Sequence, residues 1–227
     1  MILSSVDRDH QNHRYLTRKQ QLAQGLMTFP QTQGAAIIAR HTRLTSTMVS
    51  GDLMETLTDL LEQSFEHYAA RPAIRQLERT PSGMAYVPIT YAELRGLRDR
   101  LAAGLADLGL LKGQRIGILT DGGFAPILVF LAADRLGLTA VPLCHKSSTE
   151  ILVHNISRSG IECLVVDDKG LAQYELVRRA LHHPPQIVRT DGVDGDGTSW
   201  ETATAGGTVP DVQISSEDES KILYTSG

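Results

Sequence analysis

Between Arg115 and Arg189 the chain alternates short apolar runs with longer segments of helical period, and this alternation restricts the fold more than any other feature. The apolar runs are Arg115 to Thr120, Thr139 to Leu143, Ile161 to Val166 and Gln186 to Arg189. Between them lie Phe124 to Leu136, Ser147 to Ser159 and Leu171 to His182, each with apolar residues at helical spacing. A strand that is apolar on nearly every residue must be covered on both faces, as in a parallel sheet. Connections of a dozen residues or more also suit parallel crossovers rather than hairpins. Right-handed crossovers then give the expected fold: α/β, a doubly wound, mostly parallel sheet with helices on both faces. The stop signals agree, with Gly137 after one helix and Pro184-Pro185 after another. Ser147 with Glu150 reads as a capping box opening the middle one.

Upstream, Leu53, Met54, Leu57, Leu60, Leu61, Phe65 and Tyr68 recur at helical spacing, with Asp52 and Glu55 placed to cap the start. That helix must end before Arg71-Pro72, because the residue preceding proline avoids helical geometry. Ala73 to Leu77 and Ala85 to Val87 read as two short strands around a turn at Pro81-Ser82-Gly83. Thr90-Tyr91-Ala92-Glu93 is a second capping box. The helix it opens carries Leu94, Leu97, Leu101, Leu105 and Leu108 on one face and stops near Gly109. Leu94, Leu97, Leu101, Ile116, Ile118, Val141 and Val165 are expected to share one core. Residues 1–50, rich in Gln, Thr and His without a sustained period, read as a poorly ordered extension, leaving 51–227 as the folded part. Thr190 to Ser220 is turn-rich and acidic, with one helical turn at Trp200-Glu201, and Lys221 to Tyr224 begins a last strand.

Composition narrows the partners. Of 227 residues 41% are hydrophobic, enough for a core, and the formal charge of -4 leaves no basic footprint for nucleic acid. Cys144 and Cys163 sit in apolar runs and are expected to be buried, reduced thiols. No apolar run approaches the ~20 residues of a membrane helix. The polar Arg18-Lys19-Gln20-Gln21 breaks any signal-peptide plan. A cytoplasmic protein without a transmembrane segment is the expectation, with peripheral membrane contact left open. Asn155-Ile156-Ser157 fits a glycosylation acceptor by chance pattern.

The last residues bear on chemistry. A strand followed by Thr225-Ser226-Gly227 is how a phosphate-cradling loop begins, with hydroxyls and unobstructed amides as donors. Small polar tripeptides end many strands, so the signal lies in its company. Ile89-Thr90-Tyr91-Ala92-Glu93-Leu94, Arg135 to Leu143 (ending Val-Pro-Leu) and Ile222-Leu223-Tyr224-Thr225-Ser226-Gly227 occur in that order. Together they resemble the first three core motifs of the adenylate-forming enzymes: acyl-CoA synthetases, luciferases and peptide-synthetase adenylation domains. The resemblance covers about Gly51 to Gly227.

It implies the amino-terminal subdomain of a two-step ligase. A carboxylic acid and MgATP give an acyl-adenylate, and a thiol, usually coenzyme A, then takes the acyl group. Thr225, Ser226 and Gly227 would hold the ATP phosphates. The rest of that loop, the metal-binding glutamate, the catalytic lysine and the acid pocket lie downstream in the family. The resemblance thus assigns no catalytic residue and no metal ligand to this chain, and the chain by itself is expected to be inactive. Cys144 replaces the aspartate usual in amino-acid-activating members, which together with the Ser199-Trp200-Glu201 segment before the final strand leans toward fatty acyl-CoA synthetases. Two other readings stand beside it: a non-catalytic truncated α/β domain serving as a binding partner, and an adenylation domain of a peptide or polyketide assembly line.

Other constellations carry less. Asp191, Asp194 and Asp196 before Gly197 suggest a calcium loop, but an EF-hand would need acids at Gly192 and Ala203. His182-His183 reads as a cationic end to a helix, suited to the dipole. Tyr91 and Glu93 read as packing and capping residues.

Overall fold

The computed structural model describes residues 56–81, 83–191 and 197–225. The extension at 1–50, the Asp52 and Glu55 cap, Asp194, Asp196, Ser226 and Gly227 lie outside those residues.

The first helix, α1, spans Leu57–His67. Its cap is Thr56, whose hydroxyl accepts from the Asp59 amide while the Asp59 carboxylate accepts from the Thr56 amide, a full capping box. Of the expected apolar stripe Phe65 is buried, whereas Leu57 and Leu60 are about half exposed, at 48% and 49%. The helix stops at Tyr68, short of Arg71-Pro72 as expected. Strands β1 (Pro72–Thr80) and β2 (Gly83–Thr90) then pair antiparallel. Both are longer than the apolar residues alone suggest, because backbone pairing continues through polar positions such as Glu78 opposite Ala85.

The Thr90–Glu93 box forms as expected and opens α2, Tyr91–Asp107. The alternating region follows as β3 (Arg115–Leu119), α3 (Ala125–Leu136), β4 (Thr139–Pro142), α4 (Thr149–Ser159), β5 (Ile161–Val166), α5 (Asp168–Val177) and β6 (Gln186–Arg189). A short strand β7 (Thr198–Ser199) and a one-turn helix α6 (Trp200–Ala203) come last. The sheet has five strands in the order β4-β3-β5-β6-β7, and every pair is parallel. Gly137 ends α3 with φ +65°, the left-handed value that glycine adopts without a Cβ penalty.

The period of two along the strands sorts their residues onto two faces. Ile116, Ile118, Ala140, Cys163, Val165 and Val188 meet α2 and α3 in one cluster. Leu119, Val141, Leu164 and Val166 meet α4 and α5 in the other, joined by Ile161, which lies ahead of a register shift between β3 and β5 and so breaks the period. The expectation of a single core therefore holds for Leu94, Leu101, Ile116, Ile118 and Val165, with Leu97 half-buried against them. It fails for Val141, which as neighbour of Ala140 must point to the opposite face.

Four further corrections are local. Ser148, not Ser147, caps α4 by accepting from the Ile151 amide. Helix α5 begins at Asp168, capped by Asp167, and a 3-10 turn ends at Ala180. His182 and His183 therefore lie beyond the helix and cap nothing. Cys144 follows the end of β4 and is exposed, whereas Cys163 is buried in β5. Burial pushes the Cys163 thiol up to about 12.

Candidate functional site

The sheet has a topological switch point. From β3 the chain goes through α3 to β4 on one side; from the adjacent β5 it goes through α5 to β6 on the other. Connections leaving neighbouring strands in opposite directions open a crevice at their carboxyl ends, where open α/β sheets place ligands. Titratable groups gather there: Asp121 after β3, His145 after β4, Asp167 after β5, and Lys169 in the first turn of α5.

Asp121 is the hub. Its backbone N–H donates to Asp167 Oδ2 at 2.6 Å. Its carboxylate pairs with the Lys169 ammonium through Oδ2 and lies 3.2 Å from His145 Nε2 through Oδ1. The Lys169 hydrogen bond, helped by the charge fields of Lys169, His145 and Lys146, holds the Asp121 carboxyl below its ordinary range. The same bond raises Lys169. Asp167 also caps α5, accepting from the Gly170 amide at 2.7 Å. A Cβ on Gly170 would come within 1.7 Å of the Leu119 carbonyl oxygen, so only glycine lets α5 seat its first turn against the end of β3. Farther along the edge the Asp168 amide donates to Asp191 Oδ2, and Arg189 reaches Asp168 Oδ1 at 3.1 Å. Asp191, suspected as a calcium ligand, thus serves the α5 end. Among the described residues no three His, Cys, Asp or Glu side chains converge as a metal site.

Of the phosphate-loop residues expected from sequence, Thr225 alone lies among the described residues. Thr225 is exposed. The expected strand at Lys221 to Tyr224 is reduced to one parallel bridge, Lys221 beside Ala140. The Ala140 amide donates to the Ser220 carbonyl at 2.9 Å, and the Ile222 amide donates to the Ala140 carbonyl at 3.0 Å. Pairing stops there because Tyr224 turns away, its hydroxyl 2.6 Å from Ser159 Oγ and donating to the Asn155 carbonyl at 3.2 Å. Leu223 is left 67% exposed. No hydrogen bond or ion pair among the described residues joins Thr225 to the Asp121 cluster.

Tyr91 packs edge-on against Phe65 and Glu93 completes its cap, the structural roles expected of them. Asp121, His145 and Lys169 were not singled out by sequence. The signal that could have found them is positional: each follows the end of an apolar run, where a parallel sheet gathers its loops.

Residues 61–227 match the AMP-binding enzyme family. The long-chain-fatty-acid–CoA ligase FadD13 of Mycobacterium tuberculosis is 29% identical over 141 residues, 62% of this chain and 28% of that protein. The 3-hydroxybenzoate–CoA/4-hydroxybenzoate–CoA ligase of Thauera aromatica is 29% identical over 166 residues, 69% of this chain and 31% of that protein. The chain thus spans less than a third of the length of these two relatives. In structure it resembles the N-terminal domain of FACL13 from M. tuberculosis, with TM-score 0.59 and 25% identity, over 76% of this chain and 42% of that one.

Proposed function

Since the chain belongs to the AMP-binding enzyme family, we propose that it forms the amino-terminal subdomain, residues 51–227, of an ATP-dependent acid–thiol ligase, with residues 1–50 as an extension outside that subdomain. The acid carboxylate attacks the α-phosphorus of ATP; the new O–P bond forms as the bond to pyrophosphate breaks. The sulfur of coenzyme A then attacks the acyl carbon and AMP leaves. The first step depends on holding charged phosphates in place more than on covalent help from the protein. Thr225, Ser226 and Gly227 supply hydroxyls and amides for those phosphates. The described residues offer no ligand set for the accompanying Mg2+.

The observation that carries this reading is that the family match runs through Tyr224-Thr225-Ser226-Gly227, with the exposed Thr225 following a segment bonded to the sheet edge. A fatty acid is the favoured substrate: the name of the M. tuberculosis relative specifies one, and Cys144 stands where amino-acid-activating members carry aspartate. A cytoplasmic site of action fits this chemistry, and among the described residues no helix is long and apolar enough to cross a membrane.

The test is ATP binding by calorimetry with the polypeptide as its gene encodes it. Thr225→Ala is expected to weaken ATP binding about tenfold, the loss of one charge-assisted hydrogen bond. Unchanged affinity removes Thr225 from the phosphate site.

A further inference from the structure

We propose that Asp134 is a positioning residue for the segment that delivers Thr225: its buried carboxylate, bonded to Ser220 and Lys221, sets the register of that segment against β4. The part of this that concerns ATP rests on the function proposed above; the anchoring does not.

The carboxylate stands where an acid is doubly disfavoured. Asp134 is 8% exposed, and it lies in the last turn of α3, at the negative end of the helix dipole. Neither cost is tolerable without partners, and both partners come from one segment. Ser220 Oγ donates to Asp134 Oδ1 at 2.7 Å. The Lys221 ammonium lies 3.4 Å from Oδ2, donates to Ser220 Oγ at 2.9 Å, and sits over the Phe130 ring at 5.6 Å. Lys221 is the bridge residue opposite Ala140 and Ser220 precedes it, so the Asp134 carboxylate holds the register at the bridge itself.

Other bonds fasten the same segment. Lys112 reaches the Gln213 carbonyl and Asp218, Arg115 reaches Glu219, and Thr139 donates to the Glu219 carbonyl. The ion pairs among these are open to solvent, with Lys112 at 39% and Glu219 at 66% side-chain exposure, and exposed pairs contribute little. Asp134, at 7%, is the buried one. A segment laid along β4 also covers the edge of the sheet, which would otherwise present unpaired backbone groups.

The discriminating measurement is hydrogen exchange of individual amides in the encoded polypeptide. Asp134→Leu, which keeps the size and removes the acceptor, is expected to speed exchange at the Ile222 and Ala140 amides at least tenfold. The Ile118 and Val165 amides, inside the sheet, keep their wild-type rates. Asp134→Asn retains an oxygen for Ser220 and restores most of the protection. Lys112→Met, at an exposed fastening, leaves Ile222 near wild type. If Asp134→Leu does not fold, Ser220→Ala gives the same direction with a smaller change. Wild-type exchange at Ile222 in both Asp134→Leu and Ser220→Ala, or an equal effect from Lys112→Met, overturns the proposal. In ATP–pyrophosphate exchange, Asp134→Leu is expected to raise KM for ATP several-fold with kcat within twofold. Wild-type inactivity in that assay with the downstream half of a family ligase joined on refutes the ligase reading, while amide exchange still decides the anchor.

Discussion

Two glycines in the same helix should respond to the same substitution with opposite signs. Gly96 and Gly104 both lie inside α2, where alanine is intrinsically favoured over glycine by about 1 kcal/mol. At Gly96 a new Cβ would meet only the end of the Arg100 side chain, at 3.6 Å. Gly96→Ala should therefore stabilise the fold by about 0.5–1 kcal/mol. At Gly104 the Cβ would stand 1.9 Å from the carbonyl oxygen of Ala203 and 2.7 Å from its carbonyl carbon. Those atoms are backbone, in a turn whose Ala203 is itself 1% exposed, so no rotamer change relieves the clash. Helix α6 would have to retreat by roughly 1.5 Å to reach ordinary contact distance. Overpacking of this kind costs ~1–3 kcal/mol, which exceeds the helix-propensity gain, so Gly104→Ala should be net destabilising by ~1–2 kcal/mol. Urea unfolding of the two variants reads the difference directly. For a domain of this size each 1 kcal/mol corresponds to about 2–4 °C in Tm, so thermal scans should separate the pair by several degrees. If Gly104→Ala is as stabilising as Gly96→Ala, α2 and α6 do not pack as described.

Leu101 is fully buried between α2 and the sheet, and Leu101→Ala should cost ~2–5 kcal/mol; a change of a few tenths in urea unfolding would contradict that burial. Asp59, Glu93, Asp121, Glu150 and Asp218 all have folded-state carboxyl pKa values lowered by hydrogen bonds, so their stabilisation is present above the unfolded value and is lost as pH falls through the folded one. Acid titration should thus lower the unfolding midpoint progressively below about pH 4.5, and Glu93→Gln should flatten that slope. In native protein a thiol reagent should modify Cys144 and spare Cys163, with the second thiol reacting only in denaturant; fast modification of both would mean that β5 is not covered as described.

What could be read beforehand was whatever local chemistry decides. The bounds of β5 and β6 follow from apolar runs flanked by turn residues, and the start of α2 follows from a box closed within four residues, Thr90 to Glu93. The doubly wound parallel sheet followed from the same runs. Boundaries decided by backbone pairing were less visible, as in the polar lengths of β1 and β2. So was the assignment of Val141, which depends on the face that its neighbour Ala140 takes. The Asp121–Lys169 pair joins residues 48 positions apart, and no period or motif connects them. Asp134 was hidden for the opposite reason: it lies one residue before the Arg135 to Leu143 motif and looks like an ordinary helix-surface acid until Ser220 and Lys221 cover it. The expected last strand is only one bridge long, and beyond it Tyr224 bonds to Ser159 and Asn155 on α4, contacts that no local pattern announces.

Exchange of labelled pyrophosphate into ATP measures acyl-adenylate formation directly. Residues 1–227 alone are expected to show no exchange; joined to the downstream half of a ligase of this family and assayed with fatty, aryl and amino acids in turn, they are expected to show exchange that requires an acid and is fastest with a fatty acid. Replacing Thr225 with alanine should lower that exchange by on the order of 10²-fold, the usual cost of losing one donor to a charge-bearing centre. Exchange absent from the joined protein with all three acid classes, or present and indifferent to Thr225, would contradict the proposed function.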